Sequence, residues 1–116
     1  MAWQIKFYVK ENGTSPVEEF LENLPSNLQA KTLYEIDLLM EFGIKLKEPH
    51  VKNIGDGIWE LRTQFGNDLT RIFYFTTRGK TFVLLHGFIK KTQAIPRKEF
   101  KTAQERMKDY KGRNEQ

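Results

Sequence analysis

Five side chains in the second half of this 116-residue sequence are of types that handle a phosphodiester: Arg62 in "IWELRTQF", Arg71 in "RIFYFTT", and His86, Lys90 and Lys91 in "TFVLLHGFIKK". Arginine presents a planar fork of N–H donors that can grip a phosphate and meet its growing negative charge. Each well-placed donor of that kind can be worth about a hundredfold in rate. Lysine adds a point charge. Histidine titrates nearest neutrality, and proton transfer by such a group typically contributes roughly 10² to 10⁴ in rate. RNA brings its own nucleophile, the 2′-hydroxyl. These residues on neighbouring strands of an antiparallel sheet would form a phosphate site that needs no metal.

Strand parity indicates how each is held. Glu60, Arg62 and Gln64 share one strand face, opposite Trp59, Leu61 and Phe65. A salt pair with Glu60 is the simplest structural role for Arg62. Arg71 has the parity of Phe73 and Phe75, so it either emerges at the sheet edge or is held there for a purpose. His86 falls between Leu84 and Phe88 on one face, where a satisfied structural histidine is the commoner outcome. Lys90 and Lys91 point to opposite faces as their strand ends, and either can serve only as solubilising charge.

The elements that must position these residues follow from pattern. "WQIKFYVK" alternates with the period of a half-buried strand. Ser15, Pro16 and Glu18 predict an N-capped helix from Pro16 to about Leu24, ended by Pro25. Ser26 and Gln29 repeat the capping pattern, and an apolar stripe from Leu28 to Phe42 runs to Gly43, completing a helical hairpin. Its acids, Glu18, Glu19, Glu22, Glu35, Asp37 and Glu41, are read as a solvated face. After "GIKLKEPH" come "VKNI", "IWELRTQF", "RIFYFTT" and "TFVLLHGFIK", with turn signals at Gly55 to Gly57 and Thr77 to Lys80 that predict antiparallel pairing. The last strand is apolar on both parities, as expected of a central strand, with helices over one side of the sheet. Phe100, Ala103, Met107 and Tyr110 mark one face of a closing helix, and the tail from about residue 112 is expected to fray. The fold class expected is therefore α+β, a single domain over residues 1–116 with a strand, a helical hairpin, an antiparallel sheet and a C-terminal helix.

Composition limits the function classes. The absence of cysteine removes disulfides and thiolate zinc sites, and only His50 and His86 offer imidazoles, so no metal or other cofactor is expected. No run approaches the ~20 apolar residues of a membrane span, and the opening "MAWQIKFYVK", polar at alternate positions, lacks an apolar core of signal-peptide length, which leads to an expectation of a cytoplasmic protein without membrane partners. From Arg62 to the last residue there are thirteen basic residues against five acidic ones, within a net charge of +4. That imbalance points to a polyanionic partner, nucleic acid above all. Lys45, Lys47 and Lys52, beside the link before the sheet, are candidate RNA-binding residues, and a solvated basic loop is the alternative.

The stretch "GIWELRTQFGNDLTRIFYFTTRGKTFVLLHGFIKKTQAIP" resembles the RelE/ParE superfamily of bacterial toxins, in particular the HigB-like branch that includes phage-derived Gp49-like proteins. The features that carry the resemblance are the "WELR" strand, the "RIFY" strand and the "LLHGFIKKTQ-x-x-P" ending, and it extends over nearly the whole chain. It implies a RelE-like fold and a ribosome-dependent, metal-independent messenger RNA endonuclease in which the 2′-hydroxyl attacks the adjacent phosphate. It also implies inhibition by a HigA-like helix-turn-helix antitoxin, with a toxin–antitoxin heterotetramer as one assembly. By position, Arg71 matches the arginine of the family's aromatic-Arg-x-x-Tyr strand, Arg62 a basic position on the preceding strand, and Lys90 or Lys91 the basic residue ending the last strand. The chain departs from many relatives at Thr70, where they carry tyrosine, and near Ile95, where no tyrosine or histidine supplies an acid or base. His86 is then the first candidate for proton transfer. The same superfamily contains ParE-like proteins that inhibit DNA gyrase, the alternative function. A plain interaction module whose basic surface serves an acidic antitoxin is a third.

Overall fold

A computed structural model describes residues 3–91 and 94–114. The elements run β1 (Gln4–Phe7), α1 (Pro16–Glu22), α2 (Ser26–Phe42), a 3₁₀ turn (Gly43–Lys45), β2 (Val51–Gly55), β3 (Ile58–Phe65), β4 (Asp68–Thr77), β5 (Thr81–Ile89) and α3 (Arg97–Asn114). The strands form one sheet in the order β1-β5-β4-β3-β2. β2 to β5 pair antiparallel as the turn signals predict, and β1 adds beside β5 in parallel, which makes the sheet mixed.

Helices cover both faces of the sheet, not one. Val17, Leu21, Ile36 and Leu39 of α1 and α2 pack on Leu61, Ile72, Tyr74, Phe82 and Leu84. On the other face, Ala103, Met107 and Tyr110 of α3 pack on Phe73, Phe75, Val83, Leu85 and Phe88. Complete burial of an aliphatic side chain such as Leu39 or Leu85 contributes about 1.5 to 3 kcal/mol, so two such layers account for the doubly apolar β5. The β2–β3 turn places Gly55, Asp56 and Gly57 all at positive φ, which is the reason for its glycine pair.

Three local expectations are corrected. Ser15 precedes α1 but makes no side-chain cap bond, and Pro25, not Ser26, is the N-cap of α2. Gln29 instead donates from Nε2 to the Leu21 carbonyl at 2.7 Å, tying the two helices across their link. The C-terminal tail is helical as far as Asn114, because Arg113 grips Asp109 at 2.6 Å and the Val9 carbonyl at 2.7 Å; Glu115 and Gln116 lie outside the described residues.

One irregularity positions the site. The β4–β5 register shifts between Phe73 and Tyr74, pairing Phe73 with His86 but Tyr74 with Leu84, so β5 carries one extra residue there. Such a bulge reverses which face later residues occupy. Val83 and Leu85 pack under α3, and after the bulge so does Phe88, while Gly87 faces α1 so closely that a Cβ would collide with the Phe20 ring. His86 therefore does not share a face with Leu84; it points at α3. No helix among the described residues is long and apolar enough to cross a membrane.

Candidate active site

Arg62 of β3 and Arg71 of β4 are direct cross-strand partners, and Lys52 of β2 stands opposite Glu60 of β3. The strand period alone thus places Lys52, Glu60, Arg62 and Arg71 on the α3 face of the sheet. Lys90, just past β5, extends the ladder through its backbone N–H to the Leu69 carbonyl at 2.8 Å. The bulge turns its side chain to this same face, where Nζ lies 3.9 Å from Glu60 Oε2.

Glu60 is the hub of the cluster. Its side chain is 1% exposed, and its two oxygens meet Arg62 Nε at 3.4 Å and Arg71 Nε at 3.6 Å. A carboxylate that deep is strongly penalised unless paired, and three cations surround it. The converse also holds. Arg62 Nη1 also lies 4.0 Å from the exposed Glu48 Oε1, but two carboxylates cannot neutralise three cations, so the cluster keeps a net positive charge facing solvent through Arg62, which is 29% exposed. The contacts to Glu60 use the Nε atoms; of the guanidinium tips, Arg62 Nη1 makes the loose 4.0 Å contact with Glu48, and Arg71 Nη1 donates to the Thr70 carbonyl at 2.8 Å. Arg71 Nε and Glu60 Oε2 are both buried without a hydrogen bond among the described residues, bonding capacity of the kind that collects at functional sites.

Electrostatics reflects this crowding. Burial pushes the Arg71 guanidinium below its ordinary range, opposed by Glu60 and reinforced by Arg62. Burial likewise lowers Lys90; Glu60 opposes the shift, and the like charges of Arg71, Arg62 and Lys52 add to it.

Beside the arginines opens a cleft of about 330 Å³, lined by Lys31 and Glu35 of α2, Pro49 and His50, Arg62, Thr63 and Gln64 of β3, and Leu69 and Arg71 of β4. It forms where β2 has ended and only the segment before it borders β3, with the Arg62 N–H donating to the His50 carbonyl at 2.8 Å. His50 Nδ1 lies 2.8 Å from Glu35 Oε1. Glu35 is 5% exposed, so its expected place on the solvated face of the helical hairpin is corrected: it points at the sheet. An ionised carboxylate only accepts, which makes Nδ1–H the donor and leaves Nε2 as the ring atom able to take a proton. Thr63, whose buried Oγ1 has no hydrogen-bond partner among the described residues, lines the same cleft.

The five sequence candidates separate. Arg62, Arg71 and Lys90 come together. Lys91 is exposed beyond the strand end. His86 is occupied elsewhere: Nδ1 accepts from Arg106 Nη1 at 3.0 Å, Nε2 donates to Glu99 Oε1 at 2.7 Å, and the ring stacks on Phe88. Burial pushes its imidazole below the usual range, the Glu99 hydrogen bond opposing. Among the candidate RNA-binding lysines, Lys52 is exposed in the field of the cluster, and Lys45 and Lys47 are exposed on the link before β2. Thr92 and Gln93 of the "KKTQ" ending lie outside the described residues.

A family match covers residues 19–108, from α1 to within α3, and carries the description phage-derived protein Gp49-like (DUF891). The chain belongs to this Gp49-like family. The matched span contains every residue of the cluster and the cleft. No curated protein matches the chain. Among the described residues, no group of three or more His, Cys, Asp or Glu side chains could hold a metal ion.

Proposed function

We propose that this Gp49-like protein is the toxin of a toxin–antitoxin pair, an endoribonuclease that cuts messenger RNA on the ribosome and so stops translation. The observation that carries the proposal is the pairing of Arg62 with Arg71 across neighbouring strands, with Lys90 beside them and the His50–Glu35 dyad in the adjoining cleft. The arginine forks receive the scissile phosphate and stabilise its charge in the pentacoordinate transition state. His50 Nε2 takes the proton of the 2′-hydroxyl, whose oxygen attacks phosphorus as the bond to the 5′-oxygen breaks. Lys90, made more acidic by burial, gives a proton to that leaving oxygen. The products are a 2′,3′-cyclic phosphate and a 5′-hydroxyl end. Proton transfer passes to His50 here because both His86 nitrogens are committed to α3.

The proposed partners are the ribosome, which pre-organises the messenger, and a HigA-like helix-turn-helix antitoxin that holds the enzyme inactive. The charges at the centre are supplied by side chains, so the reaction is proposed to run without a metal. Primer extension on a defined messenger, free and on programmed ribosomes, tests this with Arg71→Ala and His50→Gln variants and with added chelator. We expect cuts only on ribosomes, unaffected by chelator, and reduced at least a hundredfold by either substitution. Growth arrest without any cutting would overturn the nuclease reading and direct the assay to DNA gyrase.

A further inference from the structure

The cluster is not the only group of cations on its side of the sheet. Arg97, Lys101, Lys108 and Lys111 recur along α3 at spacings of 4, 7 and 3 residues. At 100° per residue they fall within one narrow stripe about 21 Å long, to the side of the buried Ala103, Met107 and Tyr110. Gln104 lies in the same stripe and donates to Asp56 Oδ2 at 3.0 Å, which fixes this flank of α3 towards the β2–β3 turn. All four cations are exposed, and none has an ion-pair partner among the described residues. Lys52 of β2 and the Arg62, Arg71 and Lys90 cluster share this side of the sheet.

We propose that this flank of α3 is a second docking track for the sugar-phosphate backbone of structured RNA, separate from the cleft that receives the scissile strand. The chemistry favours RNA over an acidic polypeptide. A protein interface needs an apolar, desolvated centre, and this stripe offers four cations and an amide, with the Asp56 carboxylate at its margin bonded to that amide; a polyanion needs an excess of regularly spaced positive charge. The track extends the endonuclease reading but is measured without cleavage.

The test is fluorescence-anisotropy titration of the full chain with a blunt 16-base-pair RNA duplex of mixed sequence, repeated from low to moderate salt. The variants are a Lys101→Gln, Lys108→Gln, Lys111→Gln triple and, as a single-charge control, Lys80→Gln. The exchanged lysines are exposed, and circular dichroism checks that helicity is kept. We expect the triple variant to flatten the log–log salt slope by about two to three, at about 0.9 for each phosphate no longer neutralised, and to weaken binding at least tenfold at low salt. Lys80→Gln should keep the wild-type slope and affinity within about twofold, because its ammonium lies over Trp3, which packs with the hairpin-side core, away from the stripe. A triple variant with unchanged slope would overturn the track, as would an equal loss of slope and affinity in Lys80→Gln. Stripe-dependent binding of poly-glutamate with none of the duplex would assign the surface to an acidic protein. Failure of the endonuclease reading would show in the cutting assay and leave these titrations interpretable.

Discussion

Glu60 decides how the cationic residues behave. Its parity with Arg62 and the pairing that parity allows are readable in "WELR", but its near-complete burial and its simultaneous reach to Arg71 and Lys90 depend on three strands coming together. Glu35 and His50 were not legible as a pair for the same reason: fifteen residues separate them, and a helix acid in a polar sequence reads as a solvated one. We expect Glu60→Gln to separate binding from turnover. Removing the carboxylate leaves the cations more attractive to phosphate but no longer held, so KM should not rise while kcat falls about tenfold or more. Loss of one member of a buried charge set should also destabilise the fold by about 3 kcal/mol, measured by urea denaturation. An equal fall in kcat and rise in KM would point instead to general misfolding of the site.

At the scale of elements, the β5 bulge is what the sequence conceals. Regular alternation from Val83 and Leu85 would send Lys91 to the α3 face; the extra residue sends His86, Phe88 and Lys90 there instead. Strand identity, the hairpin turns and the apolar face of α3 were legible because they depend on local period and turn chemistry. A bulge depends on packing from both sides, here the Phe20 ring against Gly87 and α3 against His86. The His86–Glu99–Arg106 contacts dock α3 on β5, and they yield a pH dependence. Burial holds His86 below its usual 6.5, so the unfolded chain takes up the proton first as pH falls. The neutral ring's contribution is complete above about pH 6.5 and declines on acidification until the folded pKa is reached. Thermal denaturation across pH 7.5 to 5 should show a smaller loss of stability in His86→Asn than in the parent, from a lower starting point; parallel curves would remove His86 as the source.

The whole molecule is electrically two-sided, which is a stronger statement than its net charge of +4. The segment from Pro16 to Phe42, spanning α1 and α2, holds six acids against the single Lys31, and α3 holds seven basic residues against three acids. The sheet lies between these helices, so the charge is sorted by face. The count from Arg62 onward makes the basic excess legible in the sequence; that it gathers on one side follows only from the fold, which brings α3 and the outer strands onto a common surface. Such a dipole steers a polyanion to the α3 side and turns the hairpin away from it, an effect on encounter that salt screens over about 10 Å at 0.1 M. Changing Glu18, Glu19 and Glu22 together to glutamine should therefore raise the rate of association with ribosomes at low salt by a few-fold. The gain should vanish as ionic strength rises, with cutting per bound ribosome unchanged. Stopped-flow association with labelled ribosomes measures it directly: a salt-independent gain would mean that α1 touches the ribosome itself, and no gain would mean that orientation is set only at close contact.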